Sequence, residues 1–179
     1  NVAQPGLYKV FASFLWQGVV HIFLGPDHLL FILALVLVVR RLRQLALVVT
    51  AFTVAHTITL ALGALEIVTL SPALVESAIA ISVVYVGVEN LLVKRPKARY
   101  VVTFIFGLVH GFGFSSVLLD LGLGQGALVC SLLAFNIGVE VGQIIWVLPA
   151  FGAMAALGRW RPRWQRRVVI GVSAVVVAF

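Results

Sequence analysis

Residues Gly18 to Phe31 read GVVHIFLGPDHLLF, placing His21, Asp27 and His28 inside an otherwise apolar run. The pair Gly25-Pro26 divides it. Proline suits the first turn of a helix, where its missing N–H costs nothing, and the residue before it is pushed away from helical geometry. One helix is therefore expected to stop near Gly25 and another to start near Pro26. The preceding stretch, residues 7 to 25, is almost long enough to cross a bilayer alone, so it reads as an outer or re-entrant helix, or as one further crossing.

Working outward, the 179 residues are 62% hydrophobic and 11% charged, with a mean hydropathy of +1.14. That balance belongs to a membrane protein. A bilayer core of about 30 Å takes about 20 apolar helical residues, and this ruler marks spans near 26 to 39, 44 to 63, 72 to 93, 100 to 119, 126 to 149 and 168 to 179. The fold expected is an all-α polytopic transmembrane helix bundle with six spans plus the N-terminal helix, or seven spans if that helix crosses. Residues 1 to 179 form a single transmembrane domain, expected to be part of a longer chain because it opens on Asn1 and closes within an apolar run.

The net charge of +7 could suggest nucleic acid, but 12 of the 13 Lys and Arg fall in three clusters. These are Arg40, Arg41 and Arg43; Lys94, Arg95, Lys97 and Arg99; and Arg159, Arg161, Arg163, Arg166 and Arg167. Each cluster separates two apolar segments, the pattern of cytoplasmic loops under the positive-inside rule. The connections 63 to 72 and 120 to 126 carry no Lys or Arg and fall on the outer side. The expected partners are thus the lipid bilayer and not nucleic acid, and a homo-oligomer is compatible with the reading. The single cysteine, Cys130, excludes an internal disulfide or a multi-thiolate metal site.

All four histidines, His21, His28, His56 and His110, lie in or beside the spans, as do Asp27, Glu76, Glu89 and Glu140. Ionisable groups are expensive in hydrocarbon and mark bundle interiors or water-filled paths. Counting about 1.5 Å per residue from each expected helix start puts Asp27 and His28 at the outer mouth and Glu76 one turn in. The same count puts His56, His110 and Asn136 in the middle third, with Glu140 and Glu89 toward the cytoplasmic side. His21 can fold back onto Asp27 and His28 through the Gly25-Pro26 break. Thr53 and Thr57 flank His56 and either orient its ring or bond to their own backbone, leaving His56 as an interhelical hydrogen-bond anchor, while Gly107 and Gly111 read as helix-packing positions. Arg95 or Arg159 is the expected partner if Glu89 or Glu140 is merely salt-bridged.

Imidazole and carboxylate without thiolate suit borderline divalent ions: nickel, cobalt, zinc or iron. The expected metal residues are His21, Asp27, His28, His56 and His110, with Glu76, Glu89, Asn136 and Glu140 as path residues. A proton path would use the same groups. Two other classes remain: an intramembrane hydrolase with a histidine-bound zinc, and a membrane accessory or sensor protein with a structural metal.

HIFLGPDHLLF (His21 to Phe31) resembles the HPGxDH-type signature that opens the first membrane helix of the HupE/UreJ family, and FGLVHGFGF (Phe106 to Phe114) resembles its second histidine motif. With FTVAHTITLAL, VESAIAISVVYVGVEN and FNIGVEVGQ, the chain is similar to the HupE/UreJ_2 branch over most of residues 18 to 145. Ile22 replaces the signature's proline, and the second motif lacks the upstream histidine and downstream glutamate of the FHGxxHGxE form. The resemblance implies a multi-pass protein of the bacterial inner membrane, associated with hydrogenase or urease maturation, admitting nickel or cobalt as a permease rather than acting as an enzyme. His21, Asp27 and His28 match the first signature, and His110 matches the second.

Overall fold

The computed structural model describes residues 6–93, 98–115 and 125–178. Among them every regular element is helical, and seven helices follow in order. They are α1 (Leu7–Leu24), α2 (Pro26–Val36), α3 (Leu42–Ala64), α4 (Pro72–Leu92), α5 (Arg99–Phe112), α6 (Gln125–Trp160) and α7 (Pro162–Ala178). The second basic cluster from Lys94 to Lys97, the tail of the expected fourth span at 116 to 119 and most of the connection 120 to 126 lie outside the described residues.

Local chemistry sets several of these boundaries. Pro26 and Pro72 occupy first helical positions, and the Ser71 hydroxyl accepts from Leu74 N at 3.4 Å as an N-cap. Gly25 is extended (φ −91°, ψ 100°), so the expected break between α1 and α2 is present. Helix α6 differs from expectation. It runs through Pro149 to Trp160, 36 residues, or about 54 Å, and so projects well past one bilayer face. The last helix likewise starts at Pro162 rather than near 168.

By length and apolar composition α1, α3, α4 and the Ala127–Trp160 part of α6 can each cross a membrane, whereas α2 and α5 are shorter. The 11 residues of α2 reach only about 16 Å, too little for the span expected at 26 to 39. Its register on α6 explains how the chain manages. Leu7 O lies 3.9 Å from Cys130 Sγ, Gly18 meets Gly138, Ile22 meets Gly142, and Trp146 Nε1 donates to Leu29 O at 3.3 Å. Helices α1 and α2 therefore run in the same sense along α6, and residues 7 to 24 insert into the bundle instead of lying across its end. The Gly25-Pro26 break sits at depth, as the joint of one discontinuous passage.

A helix that ends inside protein leaves orphan carbonyls, and side chains satisfy them here. Asn90 Nδ2 donates to Ala34 O at 2.7 Å, and Arg99 Nη1 to Leu35 O at 3.4 Å. Close backbone approach is made by glycine. A Cβ on Gly138 would fall on Leu15 O and Gly18 Cα, and one on Gly107 would lie 2.7 Å from Phe52 O, so Gly107 and Gly111 pack α5 on α3 as their spacing suggested. Gly138→Ala is expected to destabilise the bundle by about 1–3 kcal/mol through overpacking, read as a lowered thermal midpoint in detergent.

The helix directions place all described residues of the basic clusters at one end of the bundle. The 63 to 72 connection and the start of α1 lie at the other.

Candidate metal site at the helix break

The end of α1, the start of α2, the middle of α3 and the end of α5 converge beside the break, and each contributes one histidine. The His21 ring centroid lies 4.6 Å from that of His28 and 6.4 Å from that of His56, and His28 lies 5.3 Å from His110. The depth count set His21 and His28 apart from His56 and His110 because it took Pro26 as the outer mouth. With Pro26 level with the middle of α6, between the Ile22–Gly142 and Leu29–Trp146 contacts, the four rings share one layer.

Aromatic side chains close the layer on two sides. Phe114 and Phe135 stack on each other at 4.4 Å and flank His21 at 4.8 and 5.3 Å. Phe31 and Phe52 lie 5.0 and 5.3 Å from His110, and Phe52 also stacks on His56 at 5.9 Å. Apolar walls of this kind strengthen any electrostatic or coordinate interaction made between them.

Two rings are held by hydrogen bonds that fix their tautomers. His56 Nδ1 is 3.1 Å from Asn136 Oδ1, which can only accept, so Nδ1 carries the proton. The amide of Asn136 is itself tied to Leu132 O at 2.8 Å. His110 Nε2 is 2.9 Å from Ser82 Oγ, whose single proton goes to Ile79 O at 2.6 Å, so His110 Nε2 is the donor. His56 Nε2 and His110 Nδ1 are left bare of hydrogen, buried and without a partner; His21 Nε2 and both nitrogens of His28 are likewise buried and without a hydrogen-bond partner. A ring that donates one N–H to the protein and keeps its other nitrogen free has the arrangement of a metal-ligating histidine.

Asp27 supplies the nearby carboxylate, with Oδ1 3.4 Å from His28 Nδ1. That distance is within ion-pair reach, but the contact lacks hydrogen-bond geometry. Space for the His28 ring comes from Gly25, where a Cβ would lie 2.5 Å from His28 Nδ1 and 3.1 Å from Asp27 Oδ1. Among the described residues no three His, Cys, Asp or Glu side chains are already arranged to hold a metal ion. The rings converge without closing a coordination shell.

The remaining path residues are dispersed. Glu76 is exposed on α4, toward the end away from the arginines. Glu89 is paired with Arg99 at 3.0 Å and not with Arg159, Arg95 lying outside the described residues, and Arg99 Nη2 also donates to Asn90 Oδ1 at 2.7 Å. Glu140, one turn beyond Asn136 and half-buried, accepts from Thr50 at 3.3 Å. Thr53 and Thr57 do not orient His56: Thr53 bonds Val49 O and Gln143 Oε1, and Thr57 bonds Thr53 O. Asn136 performs that role. Sequence spacing missed Ser82, and its one visible signal was a small hydroxyl residue in the middle of an apolar span. Gln143 is also buried, with Nε2 unpartnered between the histidine layer and the basic end.

A family model described as HupE / UreJ protein matches residues 2–179. No curated protein and no solved structure matches the chain.

Proposed function

The chain belongs to the HupE/UreJ family, and from that premise we propose that it is a permease for a divalent transition metal, with nickel or cobalt as the preferred cargo. Family membership and the apolar helices support a membrane protein and a metal transporter in general. The observation that carries the finer reading is the set of unpartnered imidazole nitrogens, at least one on each of four histidines, gathered in a single buried layer. Leaving such groups unsatisfied is costly. A passing cation that exchanges waters for imidazoles offsets that cost, and an incompletely closed shell favours release over retention.

On this reading the basic end faces the cytoplasm of a bacterial inner membrane, following the positive-inside rule. The ion enters from the opposite end, where Glu76 lies, and passes the Phe114–Phe135 pair. It is held by His21, His28, His56 and His110 with Asp27 beside them, and it leaves along Gln143 and Glu140. Glu89 has no part in release, because its carboxylate is committed to Arg99.

The test is uptake into proteoliposomes containing a metal-sensitive dye, with nickel, cobalt, zinc and iron(II) supplied separately. Uptake of nickel or cobalt above protein-free vesicles supports the reading, and no uptake of any of the four refutes it. Within that assay Asn136→Leu, which removes the acceptor from His56 Nδ1, is expected to slow uptake about 10- to 100-fold, the usual effect of losing an outer-shell partner. Asn136→Asp keeps an acceptor and should retain most of the rate.

A further inference from the structure

A cleft of about 370 Å³ opens at the basic end, between the end of α2, the end of α4 and the start of α7. Its volume falls in the range of ligand sites, and it is separate from the histidine layer. The walls are of two kinds. Arg40 and Arg166 line it with charge, and Leu91, Val169 and Ile170 line it with apolar surface. Among the described residues neither arginine makes an ion pair. The neighbouring Arg167 instead lies over the Trp164 ring at 5.3 Å.

The surroundings fix the level of this cleft. Trp164, two residues before Arg166 on α7, is 51% exposed, as tryptophans are at a bilayer interface. Val169 and Ile170 follow along α7 in the direction of the hydrocarbon, and Ile170 is exposed. Two unpaired cations at headgroup height above an apolar furrow fit an amphiphile with an anionic head. Basic pockets between membrane helices on the cytoplasmic side hold lipid headgroups in this way.

We infer that this cleft binds an anionic phospholipid, its phosphate between Arg40 and Arg166 and an acyl chain along Val169 and Ile170. Asn90 joins the site to the fold. It lines the cleft while bonding both Ala34 O and Arg99, so an occupant touches the network that holds the end of α2.

Native mass spectrometry of the delipidated full chain in detergent tests this, titrating dioleoylphosphatidylglycerol and, separately, dioleoylphosphatidylcholine. Phosphatidylglycerol is expected to give a saturable single-lipid adduct, and phosphatidylcholine far less. The Arg40→Gln/Arg166→Gln pair should bind phosphatidylglycerol roughly thirtyfold more weakly, the near-surface contribution of two arginines. A control pair, Arg161→Gln/Arg163→Gln, changes the same charge outside the cleft and should bind as the wild type does. Val169→Trp should weaken binding with both charges kept. Equal adducts with the two lipids, equal loss in the control pair, or displacement of the lipid by millimolar inorganic phosphate would overturn the inference.

Discussion

His28→Ala is expected to reduce metal uptake by more than about 100-fold, beyond the 10- to 100-fold range of outer-shell partners, while leaving the protein folded. The asymmetry follows from geometry. His28 sits between His21 and His110, and both of its nitrogens are buried with no hydrogen-bond partner, so its removal breaks no hydrogen bond. His56→Ala and His110→Ala should also lose uptake, but each leaves Asn136 or Ser82 without its ring partner, so each should also cost some stability. Glu76→Ala is the contrast. Its side chain is exposed and one end of the bundle away, and uptake should change at most severalfold. Wild-type uptake in His28→Ala would remove the histidine layer from the path.

The largest stability effect is expected at Arg99. Its side chain and that of Glu89 are 6% and 13% exposed, which puts the pair in the buried regime where breaking one partner strands the other. Arg99→Met should therefore cost about 3–5 kcal/mol, measured by denaturation in detergent. Its contacts to Asn90 Oδ1 and Leu35 O are lost together, so the end of α2 should loosen as well. Replacing both charges, in Arg99→Met/Glu89→Gln, should recover much of that loss, because a buried pair as a whole is often close to neutral. A double variant as unstable as the single one would mean that the guanidinium's contacts to α2, and not its charge pairing, dominate.

The helical segments, the break and the residues of the central layer were legible in the sequence, because apolar runs, proline geometry and the cost of ionisable groups are local properties. Depth was not. Gly25-Pro26 states where a helix starts along the chain, but only the register of Gly18 on Gly138 and Ile22 on Gly142 states how far into the bundle that start lies. Facing was equally hidden for Glu76, since a single carboxylate near a helix end carries no period. Partner choice was hidden too: Thr53 and Thr57 adjoin His56 in sequence, yet Asn136, 80 residues away, holds its ring. Glu89 found Arg99 because the α4–α5 connection turns the chain back within ten residues, closer than any arginine of the α6–α7 connection.

The central claim, that the four histidines together bind the transported ion, is tested most directly by cobalt K-edge X-ray absorption on the detergent-purified protein at saturating cobalt(II), with His28→Ala/His110→Ala alongside. The account predicts imidazole scattering from the wild-type metal shell and its reduction or loss in the double variant. A shell of oxygen ligands alone, or imidazole scattering unchanged by removing both rings, would contradict it.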